Sequence, residues 1–150
     1  MTEELRRILM AEDNTNDLEL TLAALAEHGL VNQVDVARDG AEALDYLYRR
    51  GTHAGRTPGN PIVLLLDLKM PKVDGLEVLR QVKSDPELKG IPVVMLTSSR
   101  EEGDLLRSYA LGVNAYVVKP VEFGDFMNAV RQLGGFWALV NETPRGDGAR

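Results

Sequence analysis

Four short hydrophobic runs each end in a polar residue able to bind a metal or a phosphoryl group. Ile8-Leu9-Met10-Ala11 leads into Glu12-Asp13, and Ile62-Val63-Leu64-Leu65-Leu66 leads into Asp67. Val93-Val94-Met95-Leu96 leads into Thr97, and Ala115-Tyr116-Val117-Val118 into Lys119-Pro120. Between the runs lie segments of helical periodicity. Such alternation predicts a parallel sheet with helices on both faces. In that architecture ligands bind outside the carboxyl ends of the strands. Three carboxylates, a hydroxyl and an ammonium are therefore expected in one crevice. That is the minimum equipment for holding a divalent cation and a phosphoryl group.

The elements follow from period and punctuation. Strands are expected at about residues 7–11, 33–37, 62–67, 92–97 and 115–118. The second alternates polar and apolar, as an edge strand does, and the third is apolar enough to be central. Asn14-Thr15-Asn16-Asp17 reads as a loop and N-cap, followed by Leu18, Leu22 and Leu25 at helical spacing and a stop at His28-Gly29. Further helices are expected at 40–50, with Ala43, Leu44 and Leu47 inward, at 73–83, and at 101–111 before Gly112. Ser84-Asp85-Pro86 stops the third helix. Phe123, Phe126, Met127, Val130 and Leu133 form one apolar stripe on the last. Residues 51–61, rich in Gly and Pro, read as a surface loop. Five βα units of this length predict a doubly wound sheet of order 2-1-3-4-5.

Composition narrows the function classes. A formal charge of -6 argues against general nucleic-acid affinity. The absence of cysteine removes disulfide and thiolate chemistry. No run approaches the roughly 20 apolar residues of a membrane span, and the N-terminus has no secretory pattern. A cytoplasmic protein without direct nucleic-acid or membrane binding is expected. Residues 1–140 read as one domain with a short C-terminal arm at about 134–140, and 141–150 as a disordered tail.

The motifs carry a family resemblance. Glu12-Asp13, Asp67-Leu68-Lys69-Met70-Pro71 with Asp74-Gly75, Thr97-Ser98, and Tyr116 ahead of Lys119-Pro120 stand in order at successive strand ends. Together they make the chain resemble a response-regulator receiver domain of bacterial two-component signalling, over about residues 6–133. The long loop at 51–61 and the tail Phe136-Trp137 look like the stand-alone receivers that partner bacterial phytochromes.

The resemblance implies a flavodoxin-like receiver fold and names roles. Asp67 is the phosphoacceptor, served by a sensor histidine kinase. Asp13 and Asp67 are direct ligands of Mg2+ (or Mn2+), Glu12 acts through water, and the Lys69 backbone carbonyl is a further ligand. These assignments agree with the preference of magnesium for oxygen ligands and retained waters. Lys119 supplies a compact positive charge for the phosphoryl oxygens, and the bond to Pro120 is cis in many relatives. Thr97 reports the phosphorylated state, and Tyr116 turns into the space that it vacates. Lys69 and Ser99 either tune phosphoryl lifetime or are solvated loop residues. His28 and His53 lie away from the carboxylates and are not acceptors.

The implied protein is a phosphoacceptor rather than an enzyme, assisting only its own phosphorylation and dephosphorylation. With about 17 residues after Leu133, output is expected through a partner or through a homodimer built on the last helix and the arm. In that arm Phe136, Trp137, Leu139 and Val140 form interface or core cap. The alternative is a phosphotransfer intermediate or phosphate sink. A haloacid-dehalogenase-type phosphatase would need a second aspartate two residues after Asp67, where this chain has Lys69.

Overall fold

A computed structural model describes residues 7–27, 29, 33–107 and 115–132, with Arg107 described in its backbone alone. The order is β1 (Ile8–Ala11), α1 (Thr15–Ala26), β2 (Val34–Ala37), α2 (Gly40–Tyr48), β3 (Val63–Asp67), α3 (Gly75–Ser84), β4 (Val93–Thr97), α4 (Arg100–Arg107), β5 (Tyr116–Val118) and α5 (Phe123–Gln132). The five strands are all parallel and lie in the order β2-β1-β3-β4-β5.

Strand side chains point alternately to the two faces, and the core divides accordingly. Leu9, Ala11, Leu64, Leu66, Val93 and Met95 pack with Leu44 and Leu47 of α2, Val78 and Val82 of α3 and Leu106 of α4. Ile8, Met10, Val63, Leu65, Val94, Leu96 and Val117 pack on the other side with Leu18 and Leu25 of α1 and Phe126, Ala129 and Val130 of α5. Both faces of β1, β3 and β4 are thus covered, which is why those strands read as continuous apolar runs. Leu22, expected inward on α1, is half-buried against the second cluster.

Register levels the functional ends. Ala11 pairs with Leu66, so Glu12 leaves β1 beside Asp67. Thr97 pairs with Val118, so Lys119 leaves β5 beside the end of β4.

Helix starts are fixed by side-chain caps. Asn14 accepts the Asp17 N–H at 2.8 Å, Asp39 the Glu42 N–H at 2.8 Å, and Asp74 the Glu77 N–H at 3.0 Å. Residue 73 was expected inside α3, but capping by Asp74 moves the start to Gly75. Gly75 is required there: a Cβ would lie 2.2 Å from the Asp67 carbonyl oxygen. α2 stops at Tyr48, two residues early, because Arg49 turns left-handed at φ 56°.

The 51–61 segment holds a short 3-10 turn at Gly51–His53 and is tied down by Arg56. The Arg56 guanidinium donates to the carbonyls of Tyr46 (2.7 Å), Thr57 (2.6 Å) and Gly59 (2.9 Å) and stacks 4.3 Å above the Tyr46 ring. Tyr46 in turn donates its hydroxyl to Asp35 at 2.5 Å, and Arg7 pairs with Asp35 at 2.6 Å. The loop is therefore docked onto α2 and the edge strand. The expected C-terminal limit of α4 near Gly112, the His28 stop, Leu133 and the arm through Val140 lie outside the described residues.

Candidate phosphoryl and metal site

Each carboxylate sits where a strand releases the chain. Asp67 is the last residue of the central strand and is buried, Glu12 follows β1 and is fully buried, and Asp13 is the most exposed of the three. An oxygen from each lies within 4.8 Å of the others. With Asn14, Asp17, Leu68, Lys69, Ser98, Glu102 and Lys119 they line a pocket of about 240 Å³.

Lys119 reaches into this pocket from the end of β5, across a cis Lys119–Pro120 bond. Its Nζ lies 2.8 Å from Asp17 Oδ2, 3.1 Å from Asp67 Oδ1 and 3.4 Å from Glu12 Oε1. One ammonium thus faces three carboxylates.

The electrostatics follow from this crowding. Burial, then the Asp67 charge, push the Glu12 carboxyl up to about 7, against the Asn14 backbone N–H and Lys119. Burial also raises Asp67, although Lys119 opposes it. For Lys119 burial acts downward, but Asp17, Asp67 and Glu12 together outweigh it and hold the ammonium charged. Without further positive charge, the Glu12–Asp67 pair favours holding a proton. The donor set is hard oxygen at close spacing, which fits a magnesium- or manganese-like cation and not a soft metal.

Two expected switch residues are differently placed. Thr97 is buried, and its hydroxyl donates to the Ser99 carbonyl at 3.0 Å; its neighbour Ser98 lines the pocket instead. Tyr116 donates its hydroxyl to Asp104 at 2.8 Å and lines a separate cleft with Arg100, Asp125 and Asn128. The ring lies over Gly103, where a Cβ would approach it to 2.2 Å. Ser99 caps α4, accepting the Glu102 N–H at 3.1 Å. His53 contacts Glu42 at 3.0 Å, within the α2 and loop network.

Asp17 and Glu102 are the site residues that motif reading did not single out. Asp17 was read as part of a cap segment. Its place in the site shows only in the fold, where its carboxylate meets the Lys119 ammonium from the end of β5. Glu102 had no signal beyond lying in the first turns of α4. Its carboxylate accepts the Ser98 N–H at 2.9 Å and hydroxyl at 3.1 Å and lies 3.3 Å from Lys69 Nζ. The Ser98 N–H is the main cause holding the Glu102 carboxyl below the usual range.

Comparison with known proteins places this arrangement. The family described as "Response regulator receiver domain" matches residues 8–131. The solved bacteriophytochrome response regulator AtBRR is 65% identical, with a TM-score of 0.86, covering 93% of this chain and all of its own. The response regulator Rcp1 of Synechocystis is 38% identical over 87% of each chain. Its Mn(2+)-bound crystal form superposes with a TM-score of 0.69 over 93% of this chain and 99% of that one. A probable methanogenesis regulatory protein, FilR2 of Methanothrix harundinacea, is 41% identical over 91% of this chain and 86% of its own.

Proposed function

The chain belongs to the response-regulator receiver family of two-component signalling, and from that premise we propose that Asp67 is its phosphoacceptor. A carboxylate oxygen of Asp67 attacks the phosphorus of a phosphohistidine on a sensor kinase. The P–N bond breaks, the imidazole leaves with the electron pair, and an acyl phosphate remains on Asp67. The observation that carries this reading is the convergence of Glu12, Asp13, Asp67 and Lys119 at the ends of β1, β3 and β5.

The roles follow from charge and position. Asp13 and Asp67, and by the family resemblance the Lys69 backbone carbonyl, would hold Mg2+ directly, with Glu12 acting through water, and the same oxygens would accept Mn2+. The cation, when bound, supplies charge that offsets both the carboxylates and the incoming phosphoryl group. Lys119 provides a fixed countercharge beside Asp67. Thr97 turns its hydroxyl from Ser99 to a phosphoryl oxygen, and Tyr116 leaves Asp104 for the space vacated. Catalysis here is positioning and charge neutralisation, and the chain assists only the gain and loss of its own phosphoryl group.

The kinase is a bacterial phytochrome or a protein of that type, a reading supported by the likeness to AtBRR and acting in the cytoplasm. Output runs through a homodimer formed by α5 and the C-terminal arm. Among the described residues no helix is long and apolar enough to cross a membrane.

The test is Asp67→Asn with a phosphohistidine donor and magnesium. The variant should fold normally and incorporate no acid-labile phosphate, while EDTA should stop transfer to the wild-type chain. Labelling of the variant at another residue overturns the assignment.

A further inference from the structure

A phosphoryl group on Asp67 brings about 1.5 to 2 negative charges and three strong acceptor oxygens. It needs donors besides Lys119. Ser98 and Lys69 line the same pocket and offer three: the Ser98 backbone N–H, the Ser98 hydroxyl and the Lys69 ammonium. All three are already engaged by a single group, the Glu102 carboxylate. Oε1 takes both Ser98 donors, at 2.9 and 3.1 Å, and Oε2 takes Lys69 at 3.3 Å.

Glu102 is fixed in place as well. Its own N–H is bonded to the Ser99 hydroxyl at 3.1 Å, and its side chain is 18% exposed. The carboxylate thus ties the loop after β3 to the loop after β4 beside the pocket. The Lys69 arm is weak, since that side chain is 81% exposed and its pair is screened by water. The Ser98 arm is a charge-assisted bond to a backbone donor and is the stronger.

We propose that Glu102 is a positioning residue that competes with the phosphoryl group for Ser98 and Lys69, holding the unphosphorylated arrangement closed. Phosphorylation must pull Ser98 from Glu102, and loss of the phosphoryl group returns it. The strength of this clasp sets how readily the acceptor site is filled and how long it stays filled. The proposal rests on Asp67 being the acceptor.

Fluoroberyllate, formed from beryllium and fluoride, mimics a phosphoryl group on a carboxylate and serves as the probe, with magnesium present. Glu102→Ala should bind it about tenfold more tightly than wild type, the worth of one charge-assisted hydrogen bond. Glu102→Gln still accepts from Ser98 without the charge and should gain about threefold. Lys69→Ala should weaken binding in both backgrounds, and more in Glu102→Ala, where the freed ammonium faces the probe, than in the wild-type background, where Glu102 engages it. This coupling is a readout that a residue acting only on helix stability would not produce.

Equal or weaker binding by Glu102→Ala overturns the proposal. If that variant does not fold, Glu102→Gln decides, and no gain there overturns it too. A wild-type chain that takes no fluoroberyllate overturns the acceptor reading of Asp67, and the Glu102 reading with it. A wild-type chain that binds while neither Glu102 variant gains overturns Glu102 alone.

Discussion

At the residue scale the informative group is Glu12. It is fully buried beside Asp67, and its carboxyl is raised to about 7 by burial first and by the Asp67 charge second. A raised folded-state pKa means that the protonated form is the one favoured by the fold. Its stabilisation is fully present below the ordinary carboxylate value and is lost as pH rises through about 7. A cation must displace that proton. Magnesium affinity should therefore fall about tenfold between pH 8 and pH 6. Near pH 6 binding should release close to one proton, read by calorimetry in buffers of different ionisation enthalpy. Glu12→Gln should abolish most of the release and flatten the pH profile. A profile in the wild-type chain that is flat between those values would show that Glu12 is ionised before the metal arrives. Strand-end residues such as Glu12 were legible because each follows an apolar run. Asp17 and Glu102 were not, since their roles arise only when helix turns are folded over the strand ends.

At the element scale α4 does more than cover the sheet. Glu102 bonds Ser98 at the pocket, Gly103 receives the Tyr116 ring and Asp104 bonds its hydroxyl. Three consecutive residues thus hold the loop after β4 and the aromatic side chain of β5 in one arrangement. Gly103→Ala tests the second of these contacts. The new Cβ would lie 2.2 Å from the ring, so the ring is expected to move and to strain its bond to Asp104. Alanine gains about 1 kcal/mol of helix propensity over glycine, which offsets part of that loss and keeps the helix formed. The ring resonances of Tyr116 should shift in the unphosphorylated variant towards their position in phosphorylated wild type. Resonances that stay in place would mean that the ring has room to spare above α4. The strands were read to within one residue because burial on both faces writes itself as an unbroken apolar run. Helix ends were read less well. α2 ends two residues short of its expected limit because Arg49 turns left-handed, a conformation that its local sequence does not announce.

At the scale of the whole molecule the issue is how a change at Asp67 reaches a partner. Tyr116 is the proposed relay. It stands on β5, lining a cleft with Arg100 and Asp104 of α4 and Asp125, Asn128 and Gln132 of α5. A ring that left Asp104 would alter that face directly. The face adjoins the end of α5, from which the sequence continues through a glycine pair to Phe136, Trp137, Leu139 and Val140. Burying one large apolar side chain is worth about 1.5–3 kcal/mol, so four of them gain more in a two-fold contact than in water. The proposed homodimer would use both parts, the arm for affinity and the Tyr116 face for dependence on phosphorylation. Sedimentation of the full chain beside a truncation after Leu133 separates the parts. The full chain should dimerise at micromolar concentrations and the truncation should not. Trp137→Ala should weaken association about tenfold or more, as expected for loss of a large buried aromatic, while Asp67 still takes phosphate. Fluoroberyllate should shift the dimer equilibrium of the full chain, and Gly103→Ala should move it in the same direction without the ligand. If the truncation and the full chain both sediment as monomers, loaded or not, the arm caps its own domain and output passes to a different protein.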